Sequence, residues 1–177
     1  MENKLKLLEK IINYNFKKIS ILEKALTHKS FNNSINNEKL EFLGDRVLGL
    51  IISERLLEKY PDEKEGIIDK KFSNLVNKKT CSHIAKKINL KKFIFLGSSH
   101  KKLIRSADKI TSDCLEAIVG AIYLDGGIKS AEKFIYFFWE EHLLKSAVTI
   151  IGSRTKLREF RLKKFKVLRK YSTSTEM

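Results

Sequence analysis

Proline occurs once, at Pro61, cysteine twice and glycine eight times in 177 residues. With one proline, and glycines gathered mostly at segment junctions, little interrupts helical spacing along the chain. The two cysteines, Cys81 and Cys114, stand in unrelated contexts without metal-ligand spacing, so they read as buried, reduced thiols rather than as a zinc site or disulfide framework. Long apolar runs are missing too. Stretches such as "VLGLII" fall far below the ~20 residues a membrane span needs. The opening "MENKLKLLEK" mixes charges into its apolar positions and does not read as a signal sequence. These absences lead to the expectation of a soluble, cytoplasmic protein with no membrane partner.

Negative charge is the remaining shortage. Thirty-six Lys and Arg face 21 Asp and Glu, for a formal net charge of +15. Such an excess suits a polyanionic partner, nucleic acid or an acidic surface, although Lys/Asn/Ile-rich usage also follows from genome base composition. The apolar share of 42% and the aromatic share of 10% are those of a globular protein. A chain of this size buries roughly 70% of its unfolded surface, enough for a core without staples.

Period-2 alternation is scarce, and the body reads as all-α. Leu5, Leu8, Ile11 and Ile12 make an opening amphipathic stripe. "SILE" at 20–23 has the pattern of a capping box. A helix then runs from Glu38 to Tyr60, where Pro61 stops it. Ile68, Phe72, Leu75 and Val76 mark another after Gly66, and Thr80 is placed to cap the segment holding Ile84 and Ile88. Residues 97–107 read as a loop. Leu115, Ile118, Val119, Ile122 and Tyr123 follow i, i+3, i+4, i+7, i+8 up to "DGG", and Phe134, Ile135, Phe138 and Trp139 mark a last helix. Composition changes near Gly152, where a basic tail begins that looks like a separate piece.

Against this background the acids are conspicuously placed. Glu38, Glu41 and Asp45 sit at i, i+3 and i+7, within about 60° of one another on a helix, among Leu40, Phe42, Leu43, Val47 and Leu48. Gly44 permits close approach of a second helix or a ligand. The helix "ITSDCLEAIVGAIYLDGG" is apolar nearly all round, and inside it Asp113 and Glu116 stand at i and i+3. A helix that apolar is buried, and buried carboxylates are rare unless paired. Two readings compete. Either each acid finds a Lys or Arg or faces solvent, or the acids share a cleft. Like charges 4 Å apart repel by roughly 4 kcal/mol at an effective dielectric of 20, so a shared cleft raises their pKa values or holds a divalent cation. All-oxygen ligands favour Mg²⁺ or Mn²⁺, and an acidic pocket in a basic protein is the pattern of metal-assisted cleavage of nucleic acid.

"NEKLEFLGDRVL" closely resembles the signature of the ribonuclease III endonuclease domain. "ALTHKSF" upstream, "EKEG" at 63–66 and "SDCLEAIVGAIYLDGG" downstream back the resemblance, which covers residues 3–148 in order. It implies an all-α, ribonuclease III-type helical endonuclease domain over 1–148 that works as a homodimer. Such a domain cuts double-stranded RNA with Mg²⁺, Mn²⁺ being a possible substitute, and with no small-molecule cofactor. The products carry 5′-phosphate and 3′-hydroxyl ends, and the setting is rRNA and mRNA processing. Carried over by motif, Asp45 and Glu116 are catalytic; Glu41, Asp113 and Glu116 bind metal; Glu38 and Glu65 occupy outer acidic positions; and Phe42 makes the dimer contact. His28 in "THKS" is expected to be structural, near the acidic helix.

The tail departs from the family. Residues 149–177 resemble the linker and first helix of a double-stranded RNA-binding domain whose remainder is missing, so they are expected to be a truncated start of it or a basic arm. Two alternatives stand beside nuclease activity: a non-cleaving, RNA-binding or ribosome-associated dimeric scaffold, and a helical adaptor for an acidic partner.

Overall fold

The computed structural model describes residues 2–98 and 107–146, which form seven helices and one short 3₁₀ turn. In chain order these are α1 (Glu2–Ile12), α2 (Ile19–Leu26), α3 (Glu38–Lys59), α4 (Glu65–Val76), α5 (Lys78–Lys87), the turn Leu90–Lys92, α6 (Ala107–Gly126) and α7 (Ile128–Lys145). No strand occurs among the described residues, where a lone bridge joins Thr27 to Phe95. No helix among them is long and apolar enough to cross a membrane. These residues fall within one compact unit, Met1–Ala147. The basic tail, its expected boundary at 148, and most of the loop expected at 97–107 lie outside the described residues.

The all-α expectation holds, and its apolar stripes become the core. Leu5, Leu8 and Ile12 of α1, Leu22 and Leu26 of α2, and Ile135 and Trp139 of α7 are all buried. They surround α6, where Cys114, Leu115 and every residue from Ala117 to Val119 have no exposure. Trp139 donates its indole N–H to the Leu75 carbonyl at 2.9 Å, which satisfies the one polar group that its burial desolvates. Lys71 is buried as well. Its Nζ donates to the Ser146 carbonyl at 2.6 Å, a cation on the open carbonyls at the end of α7.

Two capping expectations are corrected. α2 begins at Ile19 and its N-cap is Lys18, without a side-chain cap. The Asp125 carboxylate, brought across from the end of α6, accepts the N–H groups of Lys17 and Lys18 at 2.8 and 3.0 Å. A tertiary partner thus takes the N-cap N–H that the capping box was expected to satisfy, together with the N–H before it. At α5 the cap is Asn77, whose Oδ1 accepts the Thr80 N–H at 2.9 Å. Thr80 instead donates its hydroxyl to the Asn74 carbonyl. α4 also starts at Glu65, one residue before Gly66.

The crossing of α3 and α6 decides where the functional residues go. A Cβ on Gly44 would lie 1.7 Å from the Glu116 carbonyl oxygen, and one on Gly120 would lie 2.3 Å from that of Leu40. Backbone therefore meets backbone at this crossing, which only glycine allows. The close approach that Gly44 permits is to a second helix. α3 is less buried than its composition suggests, because Phe42, Leu50 and Leu57 are exposed along one side.

Candidate active site

Gly44 packs on Glu116, so the residues one turn to either side are brought together. Glu41 on α3 and Asp113 and Glu116 on α6 each offer a carboxylate oxygen, and these three oxygens lie within 4.8 Å of one another. Glu116 is 7% exposed. None of the three has an ion-pair partner among the described residues. One oxygen of Asp113 is buried without any hydrogen-bond partner.

Electrostatics follow from that geometry. Burial, and then the charges of Asp45, Asp113 and Glu41, push the Glu116 carboxyl up to about 7. Burial first and Asp113 second raise Glu41. Burial raises Asp113, and Lys78 and Lys109 partly offset the rise. Desolvation thus acts in the same direction on all three, and repulsion by neighbouring acids adds to it at Glu116 and Glu41.

The outer acids behave otherwise. Asp45 is half-exposed and pairs with the neighbouring Arg46. It is close enough to raise Glu116 but is not one of the three convergent ligands. Glu38 is exposed and bound to Lys29 at 2.9 Å, a contact that lowers its pKa. Glu65 lies exposed in the first turn of α4, apart from the cluster. The ion-pair reading therefore holds for Glu38 and Asp45, and the shared-cleft reading holds for Glu41, Asp113 and Glu116.

Two cations near the site gave no signal in the sequence. Lys78 and Lys109 are the cations that act on Glu41 and Asp113. Neither belongs to a motif, and the fold alone brings them there. Cys81 is buried as expected, and its thiol is pushed well up by burial and then by Glu116 beside it. His28 accepts the Ser30 N–H on Nδ1 at 3.1 Å, and that ring nitrogen also pairs with the Ser30 hydroxyl at 2.8 Å, which ties down the turn ahead of α3.

An unpaired set of hard oxygen donors, one of them a buried orphan, fits a divalent cation that takes carboxylate ligands. The imidazoles and deprotonated thiols that would favour zinc are missing from the set.

Comparison with known proteins finds relatives along most of the chain. The family described as Ribonuclease-III-like matches residues 18–145. Ribonuclease 3 of Pelagibacter ubique is 57% identical over 161 residues, which are 91% of this chain and 72% of that protein. Ribonuclease 3 of Bartonella bacilliformis is 39% identical over 156 residues, or 86% of this chain and 66% of that one. Among solved structures, the nuclease domain of ribonuclease III from Campylobacter jejuni is similar with a TM-score of 0.75 and 40% identity. That match covers 78% of this chain and 97% of the other, which is described as flexible in a region involved in dimer formation.

Proposed function

The chain belongs to the ribonuclease III family, the endoribonucleases of that type, and from this premise we propose that it cuts double-stranded RNA by Mg²⁺-dependent hydrolysis. The products carry 5′-phosphate and 3′-hydroxyl ends, and the setting is rRNA and mRNA processing. The observation that carries the reading is the cluster of three carboxylates, buried or half-buried and without an ion-pair partner among the described residues. Glu41, Asp113 and Glu116 would hold the cation, with Mn²⁺ as a possible substitute. Bound there, a divalent cation lowers the pKa of a water and offsets negative charge at the phosphate. Asp45, steadied by Arg46, accepts a hydrogen bond from the attacking water and orients it. Glu38 and Glu65 form the outer acidic rim. Residues 1–148 make up the endonuclease domain, and residues 149–177 a basic segment that adds charge for phosphates.

The experiment is cleavage of a long RNA duplex by the purified 177-residue chain. Cutting with Mg²⁺, and none when Ca²⁺ replaces it, supports the reading. An intact duplex in Mg²⁺ would leave the protein a scaffold.

Assembly as a homodimer belongs to the same proposal. Phe42 is 65% exposed, with the Arg46 guanidinium 5.1 Å from the ring centroid. An exposed phenyl beside Leu50 and Leu57 on one helix side is not core, and it fits a pocket on a second copy. Phe42→Ala should raise the dimer dissociation constant by about a hundredfold or more, because a two-fold interface loses roughly 1.5–3 kcal/mol at each of two sites. Sedimentation at low micromolar concentration checks this, and a variant still fully dimeric there contradicts it.

A further inference from the structure

A second charged feature begins beside the carboxylates and runs away from them. α5 reads "KKTCSHIAKK" and contains no acid. Thr80, Cys81, Ile84 and Ala85 turn one face into the core. Lys79, His83 and Lys86 follow at i, i+4 and i+7, and all are exposed. Between this exposed face, the first turn of α6 and the end of α7 lies a groove of about 710 Å³. Lys78, Lys79, Lys86, Lys109 and Lys145 line it, with Asp108 as the one acid.

A second groove of about 560 Å³ shares Lys86 and Asp108 and adds Lys91 and Lys92. The two meet at the Lys86–Asp108 ion pair, whose atoms are 2.7 Å apart and both largely exposed. Lys78, Lys79 and Lys109 have no ion-pair partner among the described residues. Lys145 is held by Glu141 at 2.6 Å. Lys78 and Lys109 line the first groove and also act on Glu41 and Asp113, so two of its cations lie within electrostatic reach of the candidate active site.

We propose that this double groove is a track for one phosphodiester strand running away from the point of cleavage. Lys79 and Lys86 contact its phosphates, and Asp108 is a counter-ion that the strand displaces from Lys86. The inference rests on the nuclease reading and deepens it. α5 is roughly 15 Å long, the reach of three to five successive phosphates on one strand. The first groove is lined by polar and charged side chains without an aliphatic anchor on which a protein partner would settle, and the second adds only Ala85 and Leu90 as aliphatic residues. His83, exposed on the same face, adds a ring N–H that can donate to phosphate or 2′-hydroxyl oxygens.

The test uses the full chain, a fluorescent RNA duplex, and Ca²⁺ in place of Mg²⁺ so that binding is read without cutting. Replacing both Lys79 and Lys86 with Ala should weaken binding ~10-fold or more near 100 mM salt and reduce the slope of log affinity against log salt by about two. A charge-matched control, Lys10→Ala with Lys133→Ala, should stay within about twofold of wild type, since neither residue lines the grooves. Asp108→Asn should tighten binding roughly threefold by freeing Lys86, a gain that misfolding cannot produce. Equal losses in the groove and control variants, or weaker binding by Asp108→Asn, would overturn the track. So would a polyglutamate peptide that competes as well as RNA of equal charge, because the groove would then suit an acidic protein. A wild-type chain that cuts duplex in Mg²⁺ while the groove variants bind normally refutes the track alone. One that binds through the groove but never cuts refutes the nuclease reading and leaves the groove as an RNA-binding face.

Discussion

Glu116→Gln should abolish cleavage of duplex RNA while leaving duplex binding within about threefold of wild type, because phosphate contacts lie elsewhere. It should also leave the metal-free protein as stable as before, or more so. The carboxyl is 7% exposed and surrounded by Asp45, Asp113 and Glu41, so its charged form is the costly one. Its pKa stands at about 7 in the folded state against an ordinary 4.5. Between those values the folded chain holds a proton that the unfolded chain has released. Stability of the metal-free protein therefore falls as pH rises from about 4.5 to about 7 and stays lower above that, by about 3 kcal/mol at most. Glutamine carries no charge at any pH, so the variant should lack this decline. Melting temperatures in chelator at pH 5 and pH 8 measure the difference. A Glu116 that was ion-paired would give the reverse, since stranding its buried partner costs roughly 3–5 kcal/mol. A variant that melts early and still cuts would remove Glu116 from the metal site.

Gly44→Ala should be the most damaging conservative substitution on α3. The new Cβ would sit 1.7 Å from the Glu116 carbonyl oxygen, which is backbone and cannot rotate aside. Overpacking a core typically costs 1–3 kcal/mol, and here two helices must separate, so a loss of about 3 kcal/mol or more is expected. Separation also moves Glu116 away from Glu41, and cation affinity should fall with stability. Gly49→Ala is the control on the same helix. Its nearest neighbour would be the Phe72 ring at 3.6 Å, an ordinary contact. The gain in helix propensity, roughly 0.5–1 kcal/mol, should make it neutral or stabilising. Chemical denaturation of both variants decides the matter, and equal midpoints would contradict the close crossing.

The helices were legible because their apolar spacing is regular and proline is almost absent. α3, α6 and α7 lie where the pattern places them, and "LDGG" ends α6 as expected, with Gly127 at φ +75°. Caps were less legible, since a cap is made by whichever donor or acceptor arrives in space. Asp125 serves α2 from more than 100 residues away, and no local motif announces that. Within the acidic set, spacing put Glu38, Glu41 and Asp45 on one side of a helix. It did not show that Lys29 and Arg46 claim two of them. The basic groove was invisible for a related reason. Lys79 and Lys86 look like any solvated lysines until α6 and α7 supply the opposite wall.

Glu41, Asp113 and Glu116 are proposed to form a site for a divalent cation. Calorimetric titration of Mg²⁺ into the chelator-stripped protein, wild type beside Glu116→Gln, tests it most directly. Saturable binding to the wild type is expected, weakened at least ~10-fold in the variant by loss of one charged ligand. Equal binding by the two proteins, or none by the wild type, would contradict it.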